Sequence, residues 1–146
     1  MNAPRREAFR FFCPISTRWG DMDRIGHVNN AKYFTYDEQA RIEYFNSVLP
    51  REQLGRAGPS VILARIGCDF IEQLHHPSHI DYGIRITRIG RSSMSTEGAC
   101  FVGDRCHART EGVVVWFDYP AQKAAPVPDV VRRLIIDFEI LKPSEG

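Results

Sequence analysis

One long helical segment constrains this chain most, because the rest of the fold must cover its wide apolar face. From Asn30 onward apolar side chains recur at spacings of three or four, and Pro50 would end the helix. Asn29 or Asn30 suits the N-cap, and Asp37 is placed to pair with Arg41 one turn later. The apolar positions are Tyr33, Tyr36, Ala40, Tyr44 and Val48, with Phe34, Ile42, Phe45 and Leu49 less regularly spaced.

Most of the remaining chain consists of strand-like runs separated by turn residues. Residues 79–87 alternate between apolar and polar, and the alternation slips between Ile86 and Ile89, which predicts a bulge or turn near Gly90. Consecutive apolar residues in the run 106–119 indicate a strand inside the sheet. Further strands are expected at 8–18, 61–74 and 92–103, and a short helix at Asp129–Glu139.

This order of elements leaves the sheet as the only surface on which the long helix can bury its apolar face. We therefore expect an α+β fold with an antiparallel sheet wrapped around a long central helix. The length of 146 residues predicts a single domain, residues 1–146. Such a sheet leaves a long unpaired edge, and Val113–Phe117 is more apolar than one buried face requires, which favours pairing with a second copy.

Charge and composition exclude several function classes. Lys plus Arg number 19 and Asp plus Glu 18, a net charge of +1, whereas nucleic-acid binders and polybasic membrane-surface proteins carry a basic excess. The sequence starts without an apolar secretion signal, and no run approaches the roughly 18 apolar residues of a membrane span. We expect a cytoplasmic protein with four reduced thiols, Cys13, Cys68, Cys100 and Cys106.

The most informative stretch is the loop before the long helix, which contains two acids, Asp21 and Asp23. A helix start offers free N–H groups and a partial positive charge. A carbonyl held there would have an oxyanion site on one side and a carboxylate on the other, which suits acyl transfer or hydrolysis. By residue type alone, such an acid is more often a cap or a turn former.

Residues 19–41, WGDMDRIGHVNNAKYFTYDEQAR, resemble the signature of the 4-hydroxybenzoyl-CoA thioesterase branch of the hotdog-fold superfamily. The D-x-D-x-x-G-x-V core, the spacing of Tyr33 and Tyr36 and the E-x-A-R at Glu38–Arg41 all match. Three later stretches are also similar: CDFIEQL, ITRIGRSS and VVWFDYPAQKAAPVPDVV. The resemblance covers nearly the whole chain and implies the hotdog fold.

The resemblance implies an enzyme that hydrolyses an acyl-CoA thioester to a free acid and coenzyme A, with no metal or cofactor. It implies that Asp23 is the catalytic carboxylate and the backbone N–H of Asn30 the oxyanion donor, while Asp21 shapes the loop. It also implies a homodimer or homotetramer with active sites at the subunit interface. The near-neutral charge, by contrast, is what predicts no nucleic-acid or membrane partner. The substrate-binding residues are expected to be Gly26, His27, Val28, Arg91, Ser92 and Ser93.

Several alternatives stay open. The sequence does not choose between Asp23 as nucleophile and Asp23 as general base. A hotdog hydratase or dehydratase would use an Asp and His pair, for which His27 is the nearby histidine, and a non-catalytic acyl-CoA-binding module would keep only the fold. Aromatic, medium-chain and long-chain acyl groups are all compatible with the sequence, because tertiary packing sets the pocket floor.

Other groups of residues that could form a catalytic or metal site have less support in the sequence. No G-x-S-x-G elbow occurs, and Cys106 and His107, as strand neighbours, would point to opposite faces. The HHPSH cluster at residues 75–79 matches no standard zinc spacing and is interpreted as a turn between strands. Arg85, Arg88 and Arg91 either form a solvated strand end or bind CoA phosphates.

Overall fold

The computed structural model describes residues 3–54 and 59–146 of the chain. The helices and strands, in chain order, are β1 (Phe11–Ser16), α1 (Asn30–Val48), β2 (Pro59–Phe70), β3 (His79–Ile89), β4 (Ser93–Val102), β5 (Arg105–Asp118), β6 (Lys123–Ala124), α2 (Asp129–Phe138) and β7 (Ser144–Glu145). β1 is shorter than the predicted run 8–18. Residue 8 belongs to a 3₁₀ turn at 6–8, and a second 3₁₀ turn at 19–21 follows the strand.

The strands form one curled sheet with the order β1-β3-β4-β5-β2, in which neighbours are antiparallel. The short strands β6 and β7 pair with β5 and β3. The sheet wraps around α1, so the expected α+β architecture is confirmed. β5 lies inside the sheet, as its apolar run predicts.

α1 begins and ends where the sequence predicts. The Asn29 side chain caps the helix by accepting the Ala31 N–H at 3.0 Å, and the helix ends at Val48, just before Pro50. Ile42, expected on the apolar side, is a correction: it is 53% exposed, because it lies outside the face that meets the sheet. That buried face consists of Tyr33, Tyr36, Asp37, Ala40, Arg41, Tyr44 and Phe45.

The alternation of β3 is confirmed by its burial. The register with β4 shifts between Ile86 and Arg88, where the sequence pattern slips, and the strand ends at Ile89 before a turn at Gly90. The shift keeps apolar residues inside the sheet on both sides of it. The buried inward-facing side chains are Ile80, Tyr82, Ile84, Ile86 and Ile89.

A carboxylate occupies the middle of the core. Asp37 is 1% exposed and accepts hydrogen bonds from Arg41 at 2.5 Å, Thr110 at 2.5 Å and Tyr82 at 3.0 Å. The predicted pairing with Arg41 is therefore confirmed. Gly98 makes room for the carboxylate, since a Cβ there would lie 2.6 Å from its Oδ1 atom. The bonds from Tyr82 and Thr110 fix α1 against two strands of the sheet, β3 and β5.

β2 ends at Phe70, earlier than the predicted end at residue 74. The N–H groups of Ile71 and Glu72 both donate to the carbonyl of His107, at 2.9 and 3.1 Å, and this shared acceptor interrupts the regular ladder with β5. The four residues after the strand therefore leave the sheet.

Two further observations concern the cysteines and the hydropathy of the helices. All four cysteines are free thiols, as expected. Across residues 3–54 and 59–146, no helix combines the length and the hydropathy needed to cross a bilayer.

Candidate active site

The loop in front of α1, residues 17–29, is called the acid loop below. Asp21 lies at its centre and is 2% exposed. Its carboxylate accepts the Tyr36 hydroxyl at 2.6 Å and the Arg18 N–H at 3.0 Å, and its carbonyl accepts the Asn29 N–H at 2.8 Å. One acid thus ties the turn at the start of the loop to the N-cap and the second turn of α1.

The ionisation of Asp21 follows from these contacts. Burial by itself raises the pKa of this carboxyl, but the Tyr36 hydroxyl, the Arg18 N–H and the nearby cations outweigh burial and hold the pKa below its ordinary value. Burial and the adjacent Asp21 carboxylate raise the pKa of Tyr36 far above its ordinary value. Asp21 is therefore charged and Tyr36 a neutral donor at physiological pH.

Asp23 has a different environment. Its Oδ1 atom accepts the N–H groups of Ile25 at 2.9 Å and His27 at 3.3 Å, and its own N–H donates to the His27 carbonyl at 2.8 Å. Gly26 closes this turn with a φ of 89°, which a side chain would strain. The Oδ2 atom accepts no hydrogen bond within the described part of the chain. The carboxylate is thus anchored through one oxygen, and the other is available for chemistry.

The start of α1 supplies a complementary donor. Of the five N–H groups from Val28 to Lys32, four have acceptors in the structure, and only the Asn30 N–H has none among residues 3–54 and 59–146. A free N–H at the first helical residue carries the partial positive charge of the helix start. The four paired groups donate as follows: Val28 to the Leu74 carbonyl, Asn29 to the Asp21 carbonyl, Ala31 to Asn29 Oδ1 and Lys32 to the Asn29 carbonyl.

Both groups line one cavity of about 440 Å³. One side is the acid loop and the first turn of α1, and the other is the end of β2 with the four residues that follow it. The Tyr33 and Phe70 rings meet edge to face at 5.2 Å in its wall, and Leu74 is fully buried beneath it. The lining residues are Asp23, His27, Val28, Asn30, Tyr33, Phe70, Ile71, Glu72, Gln73 and Leu74.

The structure thus brings together Asp23, His27, Val28 and Asn30 from the predicted site. Gly26 shapes the turn behind them without lining the cavity. The sequence reasoning missed the opposite wall, residues 70–74, because those residues were assigned to a strand. The signal that could have found it is weak: the polar pair Glu72 and Gln73 breaks the apolar run before Leu74.

Three predicted residues, Arg91, Ser92 and Ser93, lie elsewhere. Arg91 and Ser92 lie in the turn between β3 and β4. Ser93, the first residue of β4, pairs with Val115, whereas Phe70 at the cavity pairs with Ala108. The separation of seven residues along β5 corresponds to about 23 Å. Within one chain the structure therefore does not bring Arg91 and Asp23 together.

The neighbouring arginines have other partners. Arg85 donates to Glu97 at 2.8 Å on the outer face of the sheet, where Arg109 donates to the same carboxylate at 2.7 Å. Arg88 donates to the carbonyl of Gly146. A shared CoA-phosphate site for Arg85, Arg88 and Arg91 is therefore not supported for Arg85, which is held in an ion pair.

The histidine cluster braces the acid loop from outside. His75 contacts the Gly26 carbonyl through Nδ1 at 3.2 Å, and its ring lies edge to face with His27 at 5.1 Å. His76 contacts the Thr17 hydroxyl through Nδ1 at 2.8 Å. The turn interpretation of HHPSH is correct, and the part of the chain that the structure describes contains no group of three or more His, Cys, Asp or Glu residues able to hold a metal ion.

A second carboxylate, Glu72, stands at the cavity mouth. It accepts two hydrogen bonds from Arg105, at 2.6 and 3.2 Å, and these bonds lower the pKa of Glu72. Because both carboxylate oxygens of Glu72 already accept hydrogen bonds from Arg105, Asp23 is the carboxylate with an available oxygen in this cavity.

Comparisons with known proteins agree with this geometry. A family model described as the thioesterase-like superfamily matches residues 17–135. The PA5185 protein from Pseudomonas aeruginosa strain PAO1 is 30% identical, with a TM-score of 0.81 over 94% of this chain and 97% of that one. A thioesterase from Thermus thermophilus, solved in complex with coenzyme A and Zn, is 29% identical, with a TM-score of 0.79 over 91% of this chain and 96% of that one. The uncharacterized protein YsmA from Bacillus subtilis (strain 168) is 26% identical over 103 residues, 69% of each chain.

Proposed function

This chain belongs to the thioesterase-like superfamily, and on that premise we propose that it hydrolyses an acyl-CoA thioester to a free acid and coenzyme A. The observation that carries the proposal is the cavity in which an available carboxylate oxygen of Asp23 and an unpaired N–H of Asn30 occur together. The complex of the Thermus thermophilus thioesterase with coenzyme A supports CoA as the thiol part of the substrate.

In the proposed reaction the thioester carbonyl oxygen binds the Asn30 N–H, which stabilises the negative charge as the carbonyl carbon becomes tetrahedral. Asp23 then acts in one of two ways. It attacks the carbonyl carbon, expels the CoA thiolate and forms an anhydride that water hydrolyses, or it removes a proton from a water molecule that attacks instead. In both routes the thiolate takes a proton from solvent, and the acid and CoA are the products.

The two routes predict different fates for the oxygen of water. A single turnover in H₂¹⁸O labels the Asp23 carboxylate only if Asp23 is the nucleophile, because water then opens the anhydride at one of its two carbonyl carbons. With a general base, all label is in the released acid. Label found by mass spectrometry in the peptide that contains Asp23 therefore establishes the nucleophilic route, whereas an unlabelled peptide is expected both from a general base and from opening of the anhydride at the acyl carbon.

The activity itself is tested with a panel of aromatic, medium-chain and long-chain acyl-CoAs and a reagent for free thiol. Release of CoA from at least one substrate is expected. Failure of thiol release with every member of the panel would contradict the proposed reaction, whereas binding without release would favour an acyl-CoA-binding module.

A hydratase or dehydratase is a second candidate, because His27 lines the same cavity as Asp23. Such an enzyme would add water across the double bond of an enoyl-CoA with the Asp and His pair acting as acid and base. Loss of absorbance of the enoyl thioester without release of thiol would favour this reaction. The thioesterase-named structural neighbour at 29% identity favours hydrolysis.

We also propose that the chain works as a homodimer or homotetramer. Of the two sheet edges, β1 is short and contains Pro14, whereas β2 has 12 residues and exposes Ile62, Leu63 and Phe70. Long apolar edges of this kind are normally covered. Pairing through β2 would cover the edge and bring a partner subunit near the cavity, since Phe70 belongs to both. A partner could then supply the turn that contains Arg91.

The assembly is tested by mass in solution and by an edge variant. Sedimentation should give at least twice 16.7 kDa. Ile62→Lys should shift the chain toward monomer, because it places a charge in the apolar edge, while Ser16→Lys in β1 should leave the mass unchanged. A fully active monomer would contradict a site shared between subunits without touching the role of Asp23.

A further inference from the structure

We propose that Tyr36 and Asp21 are a positioning pair that fixes the two reacting groups of the site, the Asp23 carboxylate and the Asn30 N–H. The proposal rests on the proposed function, because it concerns the same site. Neither residue lines the cavity, so neither is expected to touch the substrate. Their effect on the reaction would pass through the backbone of the acid loop.

The pair itself is short and buried. The Tyr36 hydroxyl donates to Asp21 Oδ2 at 2.6 Å, Tyr36 is 4% exposed and Asp21 is 2% exposed. The same oxygen accepts the Arg18 N–H at 3.0 Å. Because hydrogen bonds to a buried charge are strong and directional, this contact fixes the position of Asp21 relative to the second turn of α1.

From Asp21 the first connection leads to the oxyanion donor. The Asp21 carbonyl accepts the Asn29 N–H at 2.8 Å. Asn29 in turn accepts from Ala31 through its side chain and from Lys32 through its carbonyl. The peptide between Asn29 and Asn30 bears the unpaired N–H, so these three bonds on Asn29 set the direction in which that N–H points.

The second connection leads to the carboxylate. Asp23 follows Asp21 by two residues, and the intervening Met22 forms a β-bridge with Val28 across the loop. The Asp23 N–H closes the same loop onto the His27 carbonyl. A shift of Asp21 would therefore move both reacting groups, the Asp23 carboxylate and the Asn30 N–H. Misplacement of reacting groups by about 1 Å can cost on the order of a hundredfold in rate.

The chain offers a matched control for the test. Tyr44, on the same helix, donates a 2.6 Å hydrogen bond to the buried carboxylate of Glu139. It lies eight residues after Tyr36, about 12 Å along the helix, and lines no part of the cavity. Tyr36→Phe and Tyr44→Phe therefore remove the same kind of bond from two places, one connected to the acid loop and one not.

With the best substrate, Tyr36→Phe should lower kcat by about ten- to hundredfold with little change in KM, because the reacting groups are misplaced in the transition state. Tyr44→Phe should lose comparable stability toward denaturant and keep kcat within about twofold. Equal kcat losses in the two variants, or an effect of Tyr36→Phe on KM alone, would overturn the proposal.

A pH profile separates positioning from general weakening. Without the Tyr36 donor the pKa of Asp21 rises, so the acid limb of kcat should move to higher pH in Tyr36→Phe. Adding Asp21→Asn, which cannot titrate, should abolish that shift. An unshifted acid limb in Tyr36→Phe would overturn the proposed link through the Asp21 charge.

Amide NMR provides a readout that does not depend on activity. Tyr36→Phe should change the backbone ¹H–¹⁵N signals of Asn30 and Asp23, and Tyr44→Phe should leave both unchanged. Unchanged signals in Tyr36→Phe would overturn the positioning role even in a protein with no thioesterase activity. Wild-type failure to release thiol would instead contradict the proposed function, so the two failures are distinguishable.

Discussion

Helix α1 carries two tyrosine–carboxylate pairs that share one geometry and lie in opposite surroundings. Tyr36 meets Asp21 beside the open cavity, and Tyr44 meets Glu139, the residue after α2, in the core, each at 2.6 Å. Both carboxylates are at most 2% exposed. The contrast between them shows what the rest of each environment contributes.

The two environments have opposite effects on charge. Asp21 is surrounded by donors and cations, and its pKa lies below its ordinary value. Burial raises the pKa of Glu139, and although Tyr44 and the Ile86 N–H both bind its Oε2 atom, its Oε1 atom is buried without a partner among the described residues. The same tyrosine bond thus accompanies a lowered carboxyl pKa at the N-terminal end of the helix and a raised carboxyl pKa near its C-terminal end.

The difference suggests a division of labour along α1. The front end presents charge and an unpaired N–H to a cavity, which are features of a reacting site. The acids that contact the middle and the C-terminal end of the helix, Asp37 and Glu139, are buried in the core. Their ionisation and pairing therefore affect the free energy of unfolding. The predictions below test this division by removing acids from each region.

The largest effect is expected at Asp23, the half-buried acid that lines the cavity. Asp23→Asn keeps the shape but provides neither a base nor an effective nucleophile, so kcat should fall at least about a hundredfold. The fold should persist, since the amide oxygen can still accept from Ile25 and His27. Steady-state kinetics and a melting curve check both statements.

Asp104→Asn, in the exposed turn between β4 and β5, is the matched control and should behave as the wild type. A near wild-type rate in Asp23→Asn would exclude Asp23 from the chemistry. If Glu72→Gln then abolished the rate, the second carboxylate of the cavity would be the reacting one.

Removal of the acid in the middle of α1 should act on folding. Asp37→Ala leaves the Arg41 guanidinium buried without its partner and Tyr82 and Thr110 without an acceptor. The free energy of unfolding should fall by about 3–5 kcal/mol, the usual cost of breaking a buried ion pair. Glu38→Ala, the exposed neighbour on the same helix, should change it little. Denaturant titration measures both, and a small loss in Asp37→Ala would mean that the pair contributes no net stability.

The sequence predicts the parts of the site whose residues are close together in the chain. Asp23, His27, Val28 and Asn30 come together because they belong to one short loop and the helix start that follows it, so local spacing places them. The i,i+4 pair of Asp37 and Arg41 was predictable for the same reason.

Contacts between distant segments were not predictable from spacing. The cavity wall at residues 70–74 depends on where the β2 ladder stops, which His107 determines from another strand. The Tyr44–Glu139 bond joins residues 95 positions apart. The family resemblance predicts that Arg91 binds substrate, yet the distance of Arg91 from Asp23 depends on strand register.

Arg91, in the turn between β3 and β4, is expected to affect substrate binding and not the chemical step. Arg91→Ala should raise KM about tenfold, the scale of one charge-assisted hydrogen bond, and lower kcat less, because the proposed contact with a CoA phosphate is remote from the reacting bond. The effect should shrink with a truncated pantetheine thioester, which lacks the nucleotide phosphates. Arg51→Ala, on an exposed 3₁₀ turn, should leave KM unchanged. An equal effect on both substrates would indicate a structural role.

The smallest effect is expected at Glu139, and it should appear as a dependence of stability on pH. Because the folded-state pKa is raised above the unfolded value, the contribution of this group to stability is complete below the unfolded pKa of about 4.3 and is lost as pH rises through the folded pKa. Glu139→Gln keeps an acceptor for Tyr44 and the Ile86 N–H but cannot ionise. Arg85 and Lys142, the cations that favour the charged form, limit the size of the effect. The free energy of unfolding of the wild type should therefore fall relative to the variant from acidic to neutral pH.

Glu43→Gln, exposed on α1, should not reproduce this change. A difference that grows in favour of the wild type as pH rises would mean that the Glu139 carboxyl is stabilised in its charged form, and the contrast with Asp21 would disappear.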